Sequence, residues 1–197
     1  EIHGANGYLI DEFLQSISNH RQDAYGGSYE NRYRFLKEII DNILIVYPND
    51  RIGVRLSPNG VYSGMGSDDN DQMFPYVAKE LSKYQLAYLH LMDGLGWGWH
   101  NKCQPVTVYD MKKNFNGIVM GNVGLTKESA EGLLRSGAAD LVAFGRLYLS
   151  NPDLVERFKN DWPLNEVTSN KQWFGFTPDP MDSLEGYLGY HPYQPKN

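Results

Sequence analysis

The sequence is poor in cysteine and has no long apolar run. Cys103 is the single cysteine among 197 residues, so no disulfide can form within the chain and zinc sites built from cysteines are excluded. No stretch reaches the ~20 apolar residues that cross a bilayer. We therefore expect a cytoplasmic protein that needs no oxidising compartment, contacts no membrane and holds no metal.

Positive charge is also sparse. The net charge is −6, and the pair Lys112 and Lys113 is too small to form a basic patch. Proteins that bind nucleic acids usually carry such a patch, so we expect no nucleic-acid partner. Hydrophobic residues make up 41% of the chain, which is ordinary for a globular protein of this size and enough for a buried core.

Strand-like and helix-like patterns alternate along the chain. Apolar residues at Phe35, Ile39 and Ile43 follow a helical period, and Ser28 is suited to cap that helix. Further helices are predicted at residues 71–84, 106–115, 126–139 and 151–161, the third capped by Thr126 and closed by Gly137. Short apolar runs predict strands at residues 51–58, 86–93, 117–122 and 140–146.

This alternation predicts parallel βαβ units, arranged either as a doubly wound sheet or as a (β/α)8 barrel. In both folds the chemistry lies at the carboxyl ends of the strands. The polar groups expected there are His3 with Asn6 and Tyr8, then Arg55, the pair Gly121 and Asn122, and the pair Gly145 and Arg146.

Each of these groups has a functional and a structural interpretation. His3 and Asn6 can donate hydrogen bonds to a carbonyl oxygen and Tyr8 can donate a proton, or His3 and Tyr8 can simply pack in a core. Arg55 lies inside an apolar strand, where it faces either an anionic ligand or an inward carboxylate. The two Gly-polar pairs suit a phosphate group, or the glycines merely end strands while Arg146 pairs with a surface carboxylate.

Five sequence motifs stand out along the chain: "HGANGYL", "SNHRQDAYGGSYENRYRF", "VRLSP", "VMGNVG" and "LVAFGRLYLSNPDLVER". Together, and in this order, they resemble the Old Yellow Enzyme family of FMN-dependent ene-reductases, which includes the plant 12-oxophytodienoate reductases. The stretch "GYLGYHPY" near the end is similar to the family's closing G-Y-x-D-Y-P.

The resemblance implies roles for residues that match the family's motifs. His3 and Asn6 match the pair that holds the substrate's carbonyl or nitro oxygen, and Tyr8 matches the proton donor. Arg55 matches the arginine beside the flavin pyrimidine. The FMN phosphate is assigned to Gly121, Asn122, Gly145 and Arg146. The implied reductant is NADPH, or less often NADH, and the substrate is a small enone or nitroalkene.

Two segments depart from the family's pattern. The family usually has Phe-Tyr where Gly175 and Phe176 stand, so a hydroxyl near the substrate is absent and Phe176 is expected there instead. The loop "GLGWGWHNKCQP" is individual, and either Trp97 or Trp99 is expected to line the substrate pocket, unless both only pack within the loop.

The resemblance also implies that residues 1–197 are one partial FMN-binding domain. The family barrel needs ~250 residues, and the sequence opens inside the expected active site. We expect an α/β fold that comprises strands five to eight, the C-terminal half of a (β/α)8 barrel. The N-terminal half of that barrel is missing, and we expect the C-terminal half to be inactive alone. A homodimer or the missing half would complete it.

Two rival interpretations stay open. The first is a non-catalytic half-barrel, a remnant or interaction module that binds no flavin. The second is a phosphate-binding barrel of another chemistry, such as an aldolase, which ranks last because no suitable lysine stands at a strand end.

Overall fold

The computed structural model describes residues 1–94, 98–167 and 189–194. The chain divides into two compact units, Glu1–Ala143 and Phe144–Asn197. That residues 1–197 form one partial barrel domain stays a prediction.

A parallel five-stranded sheet forms the centre of the first unit. Its strands are β1 (Ile2–Gly4), β2 (Gly53–Leu56), β3 (Tyr88–Met92), β4 (Val119–Asn122) and β5 (Leu141–Ala143). Their order in the sheet is their order in the chain. A doubly wound sheet reverses its strand order at a switch point, and the described strands have no such reversal.

The predicted strands are all present but shorter than expected. The run at residues 51–58 forms a strand only from Gly53, because Asn49–Arg51 is a 3-10 helix. Three residues of β1 pair with this strand, in the register Ile2 with Val54, His3 with Arg55 and Gly4 with Leu56.

Helices connect the strands. Those of the first unit are α1 (Leu9–Leu14), α2 (Tyr29–Ile43), α3 (Asn70–Leu81), α4 (Val108–Asn114) and α5 (Lys127–Arg135). Two further 3-10 helices are Tyr62–Gly64 and Ser82–Tyr84. The predicted caps are confirmed, since Ser28 accepts from the Asn31 amide, Thr126 accepts from the Ser129 amide, and Gly137 has a φ of 70°. Helix α1 was not predicted.

The two faces of the sheet differ in polarity because side chains alternate along each strand. One face is apolar and packs against α2, α3 and α4; its fully buried strand residues are Val54, Leu56, Leu89, Leu91 and Val119. On the opposite face His3, Arg55 and His90 stand side by side in register. The candidate site is built on this polar face.

The second unit contains α6 (Arg146–Ser150) and α7 (Leu154–Asn160). We expected Gly145 and Arg146 to end a strand. Instead β5 stops at Ala143, Gly145 caps α6 and Arg146 is the first residue of that helix. Buried Arg157 of α7 donates to Asp153 at 2.7 Å.

Across the described residues, no helix combines the length and apolar character required to cross a bilayer. The same part of the chain contains no group of three His, Cys, Asp or Glu side chains placed to hold a metal ion.

Candidate functional site

The turn between β1 and α1 carries two of the predicted site residues. Asn6 and Gly7 both have left-handed backbones, with φ of 60° and 70°. A Cβ on Gly7 would lie 2.7 Å from the Ser63 Cβ and 2.9 Å from the Tyr62 carbonyl oxygen. Gly7 is therefore required both for the turn and for the close approach of the 62–65 segment.

Tyr8 leaves this turn with its ring beside His3. The two ring centroids are 5.5 Å apart, and Tyr8 is 53% exposed. The Tyr62 hydroxyl is the main cause of a raised pKa at Tyr8, and the two rings lie 6.3 Å apart. With a pKa at or above the usual value for tyrosine, the Tyr8 hydroxyl is protonated near neutral pH, as a proton donor must be.

His3 is neutral at physiological pH. Partial desolvation lowers the pKa of His3, the positive charge of Arg55 lowers it further, and Glu1 opposes both effects. A neutral imidazole can donate one hydrogen bond without carrying a charge of its own.

Arg55 is anchored by an amide and not by a carboxylate. Its Nη2 donates to the Asn122 Oδ1 at 2.8 Å, while its buried Nε has no partner among the described residues. In residues 1–94, 98–167 and 189–194, no carboxylate forms an ion pair with Arg55, so the inward ion pair considered above does not form there. One edge of the guanidinium is left for another group.

His90 and Glu1 form a pair that sequence reasoning missed. The His90 Nδ1 lies 2.7 Å from Glu1 Oε2, and burial lowers the pKa of His90 despite the opposing effect of Glu1. Neutral His90 therefore donates its Nδ1 hydrogen to the carboxylate. A signal was present, since His90 interrupts an apolar run as Arg55 does, and the two residues are in register.

Asn122, the last residue of β4, supports neighbouring groups through its side chain. Asn122 accepts from Arg55 through Oδ1 and donates from Nδ2 to the Ala143 carbonyl at 2.7 Å. The absent Cβ of Gly121 would face Leu133 at 3.4 Å, on the helix side of the sheet. Beyond Asn122, Val123 has a φ of 88°, which is a strained value for a β-branched residue.

Asp11 is a buried carboxylate beneath the turn, and sequence reasoning missed it too. Burial raises the pKa of Asp11 to about 6, although Gln15, the Gly7 amide and Ser57 all favour its charged form. An aspartate in the first turn of a helix is common, so the sequence carries no distinctive signal for it.

Gly145 and Arg146 belong to the second unit and are described by themselves. Gly145 has open space where a Cβ would stand, and burial lowers the pKa of Arg146. Trp99 is 47% exposed. Trp97 and Phe176, both expected at the substrate, lie outside the described residues.

This arrangement suits the stabilisation of negative charge on a small organic group. His3 is an uncharged donor and Arg55 is a cationic donor, and the two lie on neighbouring strands. Tyr8, a protonated acid, follows β1 and has its ring beside His3. Donors fixed before a reaction stabilise charge that develops during it.

Comparison with known proteins gives a consistent result. The profile of the NADH:flavin oxidoreductase / NADH oxidase family matches residues 1–165. The chain is 38% identical over 192 residues to 12-oxophytodienoate reductase 2 of Arabidopsis thaliana, covering 96% of this chain and 50% of that protein. It is 36% identical over 196 residues to the "Probable flavin mononucleotide-dependent alkene reductase" of Leishmania infantum, covering 98% of this chain and 49% of that protein.

The fold comparison agrees with the sequence comparison. The old yellow enzyme homologue from Zymomonas mobilis matches with a TM-score of 0.86 and 37% identity, covering 98% of this chain and 52% of that one. The chain thus spans about half the length of the relatives it matches. Since the family profile covers residues 1–165, this chain belongs to the NADH:flavin oxidoreductase / NADH oxidase family and is related to the Old Yellow Enzymes.

Proposed function

We propose that this chain is part of an FMN-dependent enzyme that reduces the activated C=C bond of α,β-unsaturated carbonyls or nitroalkenes with NADPH or NADH. The family is described as an NADH:flavin oxidoreductase, and the Leishmania relative is named as an alkene reductase. The observation that carries the proposal is the pairing of His3 with Arg55 on adjacent strands, followed by Asn6 and Tyr8 on the next turn.

The described residues fit a bound flavin. Asn6 Oδ1, Arg55 Nε and His90 Nε2 are buried and have no hydrogen-bond partner among them. Buried polar groups nearly always have partners in native proteins, so a bound group is expected to satisfy some of these atoms. The pyrimidine edge of a flavin has carbonyl oxygens that can accept from Arg55.

Bound FMN would supply hydride-transfer chemistry between the nicotinamide and the β-carbon of the substrate. His3 and Asn6 hydrogen-bond the substrate oxygen and so polarise its double bond. Tyr8 gives its hydroxyl proton to the α-carbon, which balances the added hydride. Arg55, held by Asn122 at 2.8 Å, would place a positive charge beside the flavin and so favour negative charge on it.

Other parts of the proposed site rest on the resemblance. Gly121 and Asn122 are proposed to contact the FMN phosphate by their backbone, since the Asn122 side chain already serves Arg55 and Ala143. Gly145 and Arg146 of the second unit keep their predicted role in phosphate binding. Trp97 and Phe176 keep theirs at the substrate.

We further propose that the five strands correspond to the end of strand four and strands five to eight of a (β/α)8 barrel. Parallel strands in chain order, each followed by helices, support this assignment. The remaining strands would come from the rest of the protein or from a second copy.

Replacement of Tyr8 by Phe tests the function. In the FMN-loaded enzyme, Tyr8→Phe should leave flavin reduction by NADPH nearly unchanged and slow the oxidation by cyclohexenone roughly 100-fold or more, because the proton donor is lost. Stopped-flow absorbance measures the two half-reactions separately. Tyr47→Phe, another exposed tyrosine, is the control. An unchanged oxidative half-reaction would mean that Tyr8 is not the acid.

The rival non-catalytic function makes a different prediction. A purified protein that lacks bound flavin has no visible absorption, whereas a flavoprotein is yellow. A colourless protein that gains no colour on titration with FMN would favour the interaction module over the enzyme.

A further inference from the structure

The turn that carries Asn6 and Tyr8 has an intrinsically unfavourable backbone. Asn6 and Gly7 are consecutive residues with positive φ, and Asn6 is not a glycine. A non-glycine residue in the left-handed region is unfavourable unless its surroundings hold it there. Something must therefore fix the turn if the Asn6 side chain is to keep one position.

Two side chains bind the consecutive amides of this turn. The Asn6 amide donates to the Ser57 Oγ at 2.8 Å, and the Gly7 amide donates to the Asp11 Oδ2 at 2.8 Å. The Ser57 hydroxyl in turn donates to the same Asp11 oxygen at 3.3 Å. Asp11 and Ser57 thus act as one unit, although 46 residues separate them.

Buried amide groups hold Asp11 itself in place. Gln15 donates from Nε2 to Asp11 Oδ1 at 2.9 Å, and Gln15 Oε1 accepts from the Gly66 amide and from Asn70. Asp11, Gln15 and Asn70 are all fully buried. The carboxylate receives donors on both oxygens and cannot rotate without breaking one of these bonds.

We propose that Asp11 and Ser57 are positioning residues, which hold the Asn6–Tyr8 turn in the conformation that binds the substrate oxygen. This inference rests on the proposed function and deepens it. Neither residue touches the substrate; both act through the backbone of Asn6 and Gly7. The Asn6 and Gly7 amides each donate at 2.8 Å, to Ser57 and to Asp11 respectively, so both backbone groups of the turn are anchored.

Asp11→Asn is the most discriminating variant because it preserves the size of the side chain but replaces one acceptor oxygen of the carboxylate with an NH2 donor. An amide must turn its own NH2 toward Gly7 and Ser57 or toward Gln15, and each of these positions is already occupied by a donor. Ser57→Ala is the second variant and removes the acceptor for the Asn6 amide. Glu12→Gln, the same chemical change at the exposed neighbouring position of α1, is the control.

The first measurement needs no flavin. Amide hydrogen exchange followed by NMR on the 15N-labelled protein should be about tenfold faster at Gly7 in Asp11→Asn and at Asn6 in Ser57→Ala, because each loses its acceptor. Exchange in β2 and β3 should stay within about twofold. Equal acceleration throughout the sheet would reflect general destabilisation and would overturn the positioning role.

The second measurement uses the FMN-loaded enzyme. Both variants should raise the KM for cyclohexenone about tenfold, while the rate of flavin reduction by NADPH stays within about twofold and Glu12→Gln matches the wild type. If only one of the two variants folds, the result for that variant alone tests the proposal. An unchanged KM alongside an active wild type overturns this inference alone, whereas a wild type that binds no FMN overturns the proposed function and this inference with it.

Discussion

Arg55 illustrates how much a single residue depends on its neighbours across the sheet. Its guanidinium is held at one nitrogen by Asn122, and its buried Nε is left without a partner among the described residues. Burial lowers the pKa of both His3 and His90, and the nearby charge of Arg55 adds to this lowering. A cation held in this way interacts strongly with any negative charge placed beside it, because little water screens the pair.

Removal of that charge should be visible in the flavin. We expect Arg55→Met to weaken FMN binding and to lower the flavin reduction potential by roughly 30 mV or more, since about 1.4 kcal/mol corresponds to 30 mV in a two-electron couple. Spectroelectrochemical titration measures the potential. Arg51→Met removes an exposed arginine just before β2 and is the control. A potential that stays constant or rises would place Arg55 away from the flavin.

Asp11 should make the free energy of unfolding fall as the pH rises, which is the opposite of the usual effect of an aspartate. Its pKa rises from 3.8 to about 6 on folding, so the folded state binds the proton more tightly than the unfolded state. The resulting stabilisation is complete below about pH 4 and is lost as the pH rises through 6, by on the order of 3 kcal/mol.

Comparison with Asp11→Asn isolates this effect. Urea unfolding between pH 4 and 7 should show the wild type losing stability relative to the variant as the pH rises. A difference between the two proteins that does not change with pH would show that Asp11 has an ordinary pKa in the folded state.

At the scale of elements, α3 holds the apolar face of the sheet. Phe74 and Val77 of this helix are fully buried in the same core as Leu56 and Leu89. The helical period places these side chains on one face of α3, and strand alternation places the leucines on the facing side of the sheet. This packing keeps β2 and β3 aligned, and with them Arg55 and His90.

Truncation of Phe74 should therefore destabilise the whole first unit. We expect Phe74→Ala to reduce the free energy of unfolding by about 3–5 kcal/mol, because it removes apolar burial and leaves a cavity. Lys79→Ala, on the exposed face of the same helix, should change it by no more than about 0.5 kcal/mol. Chemical denaturation followed by circular dichroism measures both. Similar effects of the two substitutions would contradict this account of the core.

At the scale of the molecule, the described sheet ends on two strands that each have one neighbour. These are β1, which pairs with β2, and β5, which pairs with β4. Unpaired strand edges recruit other chains, and Leu141 on β5 is 44% exposed. In the proposed barrel both edges would be covered by the remaining strands.

A polypeptide of residues 1–197 expressed alone should consequently self-associate and bind FMN weakly or not at all. Size-exclusion chromatography with light scattering and a flavin fluorescence titration measure the two properties. Leu141→Lys, which places a charge on the β5 edge, should reduce the association. A soluble monomer that binds FMN tightly and reduces cyclohexenone would contradict the prediction.

The sequence by itself determined most of the elements and their type, although not α1 or α6. Helical periods, strand runs and the caps Ser28 and Thr126 depend on residues close together in the chain, so local pattern was enough to predict them. The family followed in the same way from ordered motifs. Local pattern did not predict α1 or the exact strand ends, because short elements contain too few residues to show a period.

Only the tertiary structure decided which side chains meet. Arg55 bonds to Asn122 across 67 residues, His90 to Glu1 across 89, and Ser57 to the Asn6 amide across 51. Strand register sets the first two contacts, and register follows from how the apolar face packs against the helices. No local pattern encodes such distant pairs. The partners of Arg55 and the support of the Asn6–Tyr8 turn by Asp11 therefore emerged only when the sheet was assembled.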